Sequence, residues 1–268
     1  MSKVKNVEFS PEFLDAIKSI TNISSAIGIQ HTEDEIVIAQ RSEGKEINVR
    51  MTAPKSSFNY DKDFGISDFP NFYSVYKVLN GQGTVGIDVN EVGSDDHVEA
   101  ASLTVANEDT SIEYGLSNMT RIGAGKKKEN GFKDFTTIEI PEDVVKNIQV
   151  LTKALVVSPS SAGTKLSILS EAGSNNVSLK FESNVALGNS FTREFEGDNE
   201  ALEVKLVFDP FFFTWLPAND YKLKIVVADG EVAKVNHIVA TGIIRDADGN
   251  EVCTQNFTAG KLRVPYID

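Results

Sequence analysis

Hydrophobic and polar positions along the chain follow two periods, one typical of short helices and one typical of strands. Four segments with helical periodicity begin at Ser10-Pro11, Asp68-Phe69-Pro70, Ile140-Pro141 and Asp209-Pro210. Proline is favoured in the first turn of a helix, and a preceding Ser or Asp accepts hydrogen bonds from the free amides there. These four sites therefore predict the start of four short helices.

Short apolar runs follow each predicted helix, with β-branched residues alternating with polar ones. Gly, Asn and Asp separate the runs, a pattern typical of antiparallel hairpins. The prolines at 11, 70, 141 and 210 place the helices at similar intervals, which indicates a unit of about 60 to 70 residues used four times. The runs are IGIQ, DEIVIAQR and KEINVRMT, then GTVGIDVNE, VEAASLTVA and TSIEYGLS, then ALVVS, KLSILSE and NVSLKFES, and finally DYKLKIVVAD and AKVNHIVATGII.

This fourfold repeat predicts an α+β protein of two similar domains, each with two short helices backed by antiparallel sheets. A chain of 268 residues is long enough for two domains. The predicted N-terminal domain spans residues 1–120, and the predicted C-terminal domain spans residues 136–268. Gly and Lys are frequent between them, so residues 121–135 are predicted to be an exposed connector.

Three of the four predicted helices place lysine opposite an apolar stripe. The outward lysines are Lys18 in the first helix, Lys77 in the second, and Lys146 and Lys153 in the third. The apolar stripes consist of Phe13, Ile17 and Ile20, then Phe72, Val75, Tyr76 and Leu79, then Val144, Val145, Ile148, Leu151 and Leu155. In the first helix, Asp15 and Leu14 also fall on the outer face. The fourth helix is aromatic and has no lysine.

Charge is distributed unevenly within an acidic chain. The net charge is −13, and the halves divided after residue 135 carry −7 and −6. An acidic total disfavours a nucleic-acid partner, because phosphate binding relies on positive charge. However, acidic runs at residues 33–35, 91–96 and 195–200 lie outside the helices. Either the helical lysines are ordinary solvated residues, or the helices form a separate basic surface.

Candidate catalytic and metal-binding patterns are sparse. The single Cys253 cannot form an internal disulfide or a cysteine zinc site. His31, His97 and His237 lie far apart, with no partner at metal-ligand spacing. No apolar run has the length of a signal peptide or a membrane span, so an intracellular protein is expected.

Three short motifs superficially suggest ligand binding. The segment at 245–251, RDADGNE, lacks the last glutamate of a calcium loop and is predicted to be a hairpin turn. The segment at 123–128, GAGKKK, lacks the first Gly and the Ser or Thr of a phosphate loop. Asp95-Asp96 stands in a loop-like setting. We therefore expect no catalytic residue, no metal, no cofactor and no enzymatic activity.

Four helix-and-hairpin units, outward lysines and an acidic remainder together resemble the DNA polymerase sliding clamps, the tailed-phage type more closely than PCNA. The resemblance covers most of the chain and is carried by FSPEFLDAIKSITNISSAIGIQ, DFGISDFPNFYSVYKVLNG, IEIPEDVVKNIQVLTKAL and KLVFDPFFFTWLPANDYKLKIVVADG. Two features depart from it. Helix four lacks basic residues, and the segment after Gly249 extends beyond the phage-type pattern, although its ending KLRVPYID is similar to the last strand and tail of PCNA-type clamps.

The resemblance implies a processivity factor. Six such domains, supplied by a homotrimer, would close a ring whose inner wall is the helices, with Lys18, Lys77, Lys146 and Lys153 facing double-stranded DNA without reading its sequence. The implied partners are a DNA polymerase and a clamp loader ATPase, with no membrane, in viral DNA replication in the cytoplasm of a host cell. Two alternatives stay open: a viral tail or baseplate protein, and a hydrolase that uses surface carboxylates.

The resemblance also implies two contact surfaces. Polymerase peptides would enter an apolar pocket at Ile122, Phe132, Val264, Pro265 and Tyr266, unless Tyr266 and Ile267 instead cover the core of the second domain. The strands TSIEYGL and NVSLKFES would join subunits, unless both are internal strands. In that joint, three residues of one chain meet three of the next: Ile112, Tyr114 and Leu116 against Val177, Leu179 and Phe181.

Overall fold

The computed structural model of the chain describes residues 3–43, 47–94, 97–117, 132–155, 165–171, 173–183, 189–198, 204–209, 211–228 and 237–260. Helices occur at all four predicted places. They are α1 (Pro11–Ser19), α2 (Phe69–Asn80), α3 (Glu142–Leu155) and α4 (Phe212–Trp215), with a short 3-10 turn at Lys55–Ser57. The predicted helical segments are thereby confirmed.

Strands make up most of the described chain, and their ladders are antiparallel. They are β1 (Lys3–Val7), β2 (Ile27–His31), β3 (Glu35–Arg41), β4 (Ile47–Pro54), β5 (Phe64–Ile66), β6 (Gly86–Ser94), β7 (His97–Ala106), β8 (Ser111–Gly115), β9 (Phe132–Ile140), β10 (Lys165–Ser170), β11 (Asn176–Glu182), β12 (Ser190–Glu196), β13 (Val204–Phe208), β14 (Tyr221–Ala228), β15 (His237–Arg245) and β16 (Glu251–Gly260). The predicted α+β class is confirmed.

The two halves of the chain repeat one order of elements: a strand, a helix, four strands, a helix and three strands. In the first half, neighbouring strands follow the orders β1-β6-β7-β8 and β5-β2-β3-β4. The second half repeats both orders, as β9-β14-β15-β16 and β13-β10-β11-β12. By spatial clustering, one compact unit comprises residues 1–43, 49–126 and 244–254, and the other comprises 44–48, 127–243 and 255–268.

The repeat explains the segment after Gly249. Residues 251–260 form β16, which holds in the second half the place that β8 holds in the first. Residues 251–260 are therefore a strand of the repeated topology and not an extension beyond it, whereas residues 261–268 lie outside the described residues. The predicted hairpin turn before it is confirmed: the Gly249 amide donates to the Asp246 carbonyl at 3.1 Å, and Gly249 has a φ of +85°, which favours glycine.

Polar side chains cap the first three helices. Ser10 Oγ accepts a hydrogen bond from the Phe13 amide at 3.1 Å, and Asp68 Oδ1 accepts one from the Asn71 amide at 3.2 Å. Both caps were predicted. For α3 the first-turn amide of Glu142 donates to Asp220 Oδ1 at 2.8 Å. That cap comes from a residue 78 positions away, which no local pattern reveals.

Two helices are rotated slightly from the predicted orientation. Leu14 is fully buried, so it does not lie on the outer face of α1. In α3, Leu151 is 45% exposed and Val150 is 67% exposed, whereas Thr152 is fully buried. The buried stripe runs through Val145, Ile148 and Thr152, which are spaced as one helical face requires. Leu151 was therefore assigned to the wrong face.

Aromatic side chains form the packing centre of each half. In the first, Phe58 stacks on Phe9 with ring centroids 3.9 Å apart. In the second, the buried Phe213 meets Phe181 and Phe212 edge to face at 5.7 and 5.5 Å. Edge-to-face aromatic pairs stabilise a core beyond the area that they bury. These clusters hold the helices on the sheets.

Candidate nucleic-acid interface

The outer faces of α1 and α2 meet in a polar cluster around Asp15. Lys77 Nζ lies 3.1 Å from Asp15 Oδ1 and 5.2 Å from the centroid of the Tyr73 ring, and the Tyr73 hydroxyl donates to the same Asp15 oxygen. The hydrogen bond with Asp15 is the main cause that raises the pKa of Lys77. Burial, then the hydrogen bond with Asp15, raises the pKa of Tyr73. The charge of Lys77 is thus compensated within the chain.

The other predicted lysines differ in their surroundings. Lys18 is half-buried, and its Nζ donates to Thr21 Oγ1 at 3.2 Å. Lys146 Nζ lies 2.5 Å from Glu142 Oε1, one turn earlier on α3. Lys153 is exposed, and it forms no ion pair or hydrogen bond with any residue in the described part of the chain. Of the four, Lys153 has the ammonium most open to an external anion.

The helical surface is electrically neutral as a whole. The four helices contain four lysines and four acidic residues, although the chain carries −13. Glu12, Glu142 and Asp143 lie in first turns, where the helix dipole stabilises acids, and Lys18 and Lys153 lie in last turns, where it stabilises bases. The helices are therefore less acidic than the rest of the chain, without being strongly basic.

The strand β8 has an open edge. The Leu116 amide donates to the Ala101 carbonyl at 2.8 Å, and the Asn107 amide donates to the Thr110 carbonyl at 2.9 Å. Hydrogen-bonded and non-bonded pairs alternate in an antiparallel ladder, so the Ile112 and Tyr114 backbones face β7. The N–H and C=O groups of alternate residues point away from β7, and no described strand pairs with them; these residues are Ser111, Glu113 and Gly115.

The strand β11, in contrast, is internal. It pairs with β10 on one side and with β12 on the other, and Val177, Leu179 and Phe181 are fully buried. The prediction that NVSLKFES supplies a free edge with these three residues is therefore wrong. Alternation of apolar and polar residues indicates that one face of a strand is buried. Internal strands and edge strands both have a buried face, so alternation does not distinguish them. The open edge belongs to β12, which that interpretation did not include.

The predicted peptide pocket lies largely outside the described residues. Ile122, Val264, Pro265 and Tyr266 all fall there, and for Phe132 the structure describes only the backbone at the start of β9. The pocket stays a prediction.

Two reactive side chains outside the helical surface, Cys253 and His31, have pKa values shifted by burial. Burial is the main cause that raises the pKa of the Cys253 thiol to about 12, so the thiol stays protonated at neutral pH. Burial lowers the pKa of His31, whose Nδ1 lies 3.6 Å from Asp63 Oδ1. Over the described ranges, no three His, Cys, Asp or Glu side chains are grouped as metal ligands require. A membrane-spanning helix is likewise not found among the described residues.

The same fold occurs in solved sliding clamps. A. fulgidus PCNA bound to the C-terminal region of FEN-1 matches 98% of this chain over its full length, with a TM-score of 0.61 and 12% identity. PCNA from Thermococcus kodakaraensis matches 97% of this chain and 100% of that chain at a TM-score of 0.62 and 10% identity. The beta subunit of DNA polymerase from Streptococcus pyogenes matches 100% of this chain and 66% of that chain, with a TM-score of 0.58 and 12% identity. No protein-family model and no curated protein matches the sequence.

These likenesses show a clamp-like α+β fold. They also agree with the duplicated order of elements, which repeats one topology in the two halves of the chain. The structural neighbours include PCNA and the bacterial beta subunit, and the expected likeness to the tailed-phage type stays a prediction.

Proposed function

We propose that this protein is a DNA sliding clamp: a non-enzymatic ring of three copies that encircles duplex DNA and tethers a DNA polymerase. The observation that carries the proposal is the duplicated clamp topology, since solved clamps match at least 97% of the chain. Two domains per chain give six in a trimer. A clamp loader ATPase places the ring on DNA, and the setting is viral DNA replication in a host cell.

Open edges of different sheets support closure into a ring. The edge strands β8 and β12 end sheets that are not equivalent in the repeat. A contact between them joins copies head to tail, and head-to-tail contacts generate a closed ring when the rotation between copies closes. The corrected subunit joint therefore keeps Ile112, Tyr114 and Leu116 and replaces β11 by β12.

A neutral helical face suits a ring that slides. Phosphate attraction is independent of sequence and permits sliding, and enclosure retains DNA without the base contacts that would hold a protein at one sequence. The acidic remainder of the chain repels DNA from other surfaces. The test is the solution mass combined with class-averaged electron micrographs. Three chains around a central hole support the clamp, and a monomer or a tail-like tube supports the viral structural alternative.

The salt dependence of DNA binding should depend chiefly on Lys153. Each phosphate contact contributes about 0.9 to the slope of log affinity against log salt on duplex DNA, so Lys153→Ala lowers the slope by about 2.7 for a three-copy ring. Lys77→Ala is the matched control and lowers it less, because Asp15 already compensates Lys77. If Lys126, Lys127 and Lys128 carry the dependence instead, the segment between the halves contacts DNA.

Partner binding should depend on the chain's end. A chain truncated after Arg263 lacks Val264, Pro265 and Tyr266, and we expect it to keep its assembled mass and its melting temperature but to lose pulldown of the polymerase. An aromatic residue beside a proline suits a peptide-binding surface. Loss of folding after truncation would show instead that these residues cover the core.

A further inference from the structure

Along β12, as along β8, residues whose backbone groups bond to the neighbouring strand alternate with residues whose backbone groups point outward. The Gly197 amide donates to the Asn175 carbonyl at 2.8 Å, and the Ser183 amide donates to the Asn189 carbonyl at 3.1 Å, so these two pairs bracket the β11–β12 ladder. The backbones of Phe191, Arg193 and Phe195 therefore face β11. The backbone groups that point outward belong to residues with exposed side chains, and these are Ser190, Thr192, Glu194 and Glu196.

In both edge strands, the residues whose backbone faces the neighbouring strand also point their side chains toward the core. On β8, Tyr114 lies opposite the buried Leu103. On β12, Arg193 lies opposite the buried Leu179. In both strands the residues that point their backbone outward lie on the other face. An antiparallel contact between β8 of one copy and β12 of the next therefore pairs the open backbone groups and continues the apolar face at the same time.

One antiparallel register aligns the core-side residues of the two edges. In this register Ser190 faces Ser117, whose backbone is already bonded to Gly65. The register places Ile112 opposite Phe195, Tyr114 opposite Arg193, and Leu116 opposite Phe191. The four apolar side chains among these are half-buried, as is Tyr114, so each has surface left to cover. Any other antiparallel register leaves at least one of the four apolar side chains without an apolar or aromatic counterpart.

The Arg193 side chain forms no ion pair or hydrogen bond with any described residue. It is the one charged side chain among the core-side residues of β12, between Phe191 and Phe195. Its counterpart Tyr114 offers a ring, and the Phe72 ring packs edge to face against it at 5.6 Å. An acidic group is close as well: burial, and after it the charge of Asp68, raises the pKa of Tyr114. A guanidinium over an aromatic face near a carboxylate is a favourable arrangement.

We infer that Arg193 of one copy seats on the Tyr114 ring of a second copy of this chain and fixes the register of the subunit joint. The inference rests on the proposed ring. The same register sets Glu113 directly opposite Glu194 on the outer face, and like charges directly opposite across strands are destabilising. The joint therefore combines a specific contact on the core side with a repulsive pair on the outside.

Cysteine cross-linking tests this register. In this register Ile112 and Phe195 form a pair without backbone hydrogen bonds between them, and such pairs have Cα atoms about 4.5 Å apart, within the range of a disulfide. The full chain carrying Ile112→Cys and Phe195→Cys keeps Tyr114 and Arg193, and it should oxidise to a covalent three-chain product on non-reducing electrophoresis. The control carrying Thr110→Cys and Phe195→Cys should not, because diagonal pairs are about 7–8 Å apart. The native Cys253 is fully buried and does not compete.

The outcomes separate the inference from the proposed function. Cross-linking of the control instead of the main pair, or of neither pair in a chain whose mass is trimeric, overturns the register and leaves the clamp standing. Cross-linking of the main pair into products longer than three chains supports the register and contradicts the closed ring. A chain that is monomeric at every concentration overturns both.

A charge reversal gives a second measurement that does not depend on oxidation. Glu194→Lys turns a repulsive pair into an attractive one, and it should lower the dissociation constant of the joint by about fivefold. Glu196→Lys is the control, because Glu196 lies opposite Ser111 in this register and should change the constant less. An equal effect of both variants would contradict the register.

Discussion

Glu113→Pro should convert the three-copy assembly into folded monomers. The Glu113 amide points away from β7, so proline removes a hydrogen bond to the next copy without removing one within the chain. Its ring also blocks close approach of another strand. We expect association at least ~100-fold weaker, or ~2.7 kcal/mol per joint, with the melting temperature of the monomer little changed. Analytical ultracentrifugation measures the mass.

Two variants control this result. Glu113→Ala loses the hydrogen bond from Ser102 Oγ but keeps the outward amide, so the trimer should persist. Ile112→Pro removes an amide that faces β7, so it should lower the stability of the fold itself. An unchanged trimer in Glu113→Pro would show that β8 is not the joining edge.

Phe213→Ala should cause the largest loss of stability among single substitutions in the second half. Phe213 is fully buried, and truncation of a buried Phe to Ala costs about 3–5 kcal/mol, because it loses the transfer free energy and leaves a cavity. Its backbone oxygen also accepts a hydrogen bond from Gln149 Nε2 of α3 at 3.0 Å, so α4 and α3 should loosen together. Urea unfolding with an unchanged m-value measures the effect.

Phe211→Ala is the matched control on the same segment. Phe211 is 37% exposed, so its truncation should cost roughly 1 kcal/mol. Equal losses for the two variants would mean that the aromatic cluster around Phe213 does not hold α4. Because α4 has no lysine, packing rather than charge is its contribution to the helical surface.

Local chemistry made the helices predictable from the sequence. A cap and a proline mark where a helix starts, and both act within one turn, so Ser10 and Asp68 could be recognised without a structure. The period of the apolar residues then gave the buried face to within one position. That margin is what misplaced Leu151, because the residue borders the buried stripe.

Non-local features could not be predicted in the same way. Whether a strand is internal depends on its neighbours in space, so β11 had the same alternation as a true edge strand. The actual edge, β12, has Arg193 in the middle of its apolar row, which interrupts the alternation that would have revealed it. That interruption itself indicates a contact surface, because an arginine among core-side residues needs a partner from outside its own strand pair.

The lysines of the candidate interface show a similar limit. Their exposure followed from helical spacing, but their pairing did not. Asp15 and Lys77 are 62 positions apart in the chain and lie on different helices. Only the packing of α1 against α2 brings them together, and this contact changes Lys77 from a free cation into half of an ion pair.

Retention on circular DNA tests the central claim most directly. The wild-type chain is incubated with a linear plasmid, because a closed ring can thread over free ends, and the plasmid is then circularised by ligation. The mixture is passed through a sizing column at 1 M salt, where phosphate contacts are screened. A ring around the duplex should stay with the circle and leave it after a single restriction cut creates ends. Equal retention on circular and cut plasmid, or loss from both, would contradict a sliding clamp.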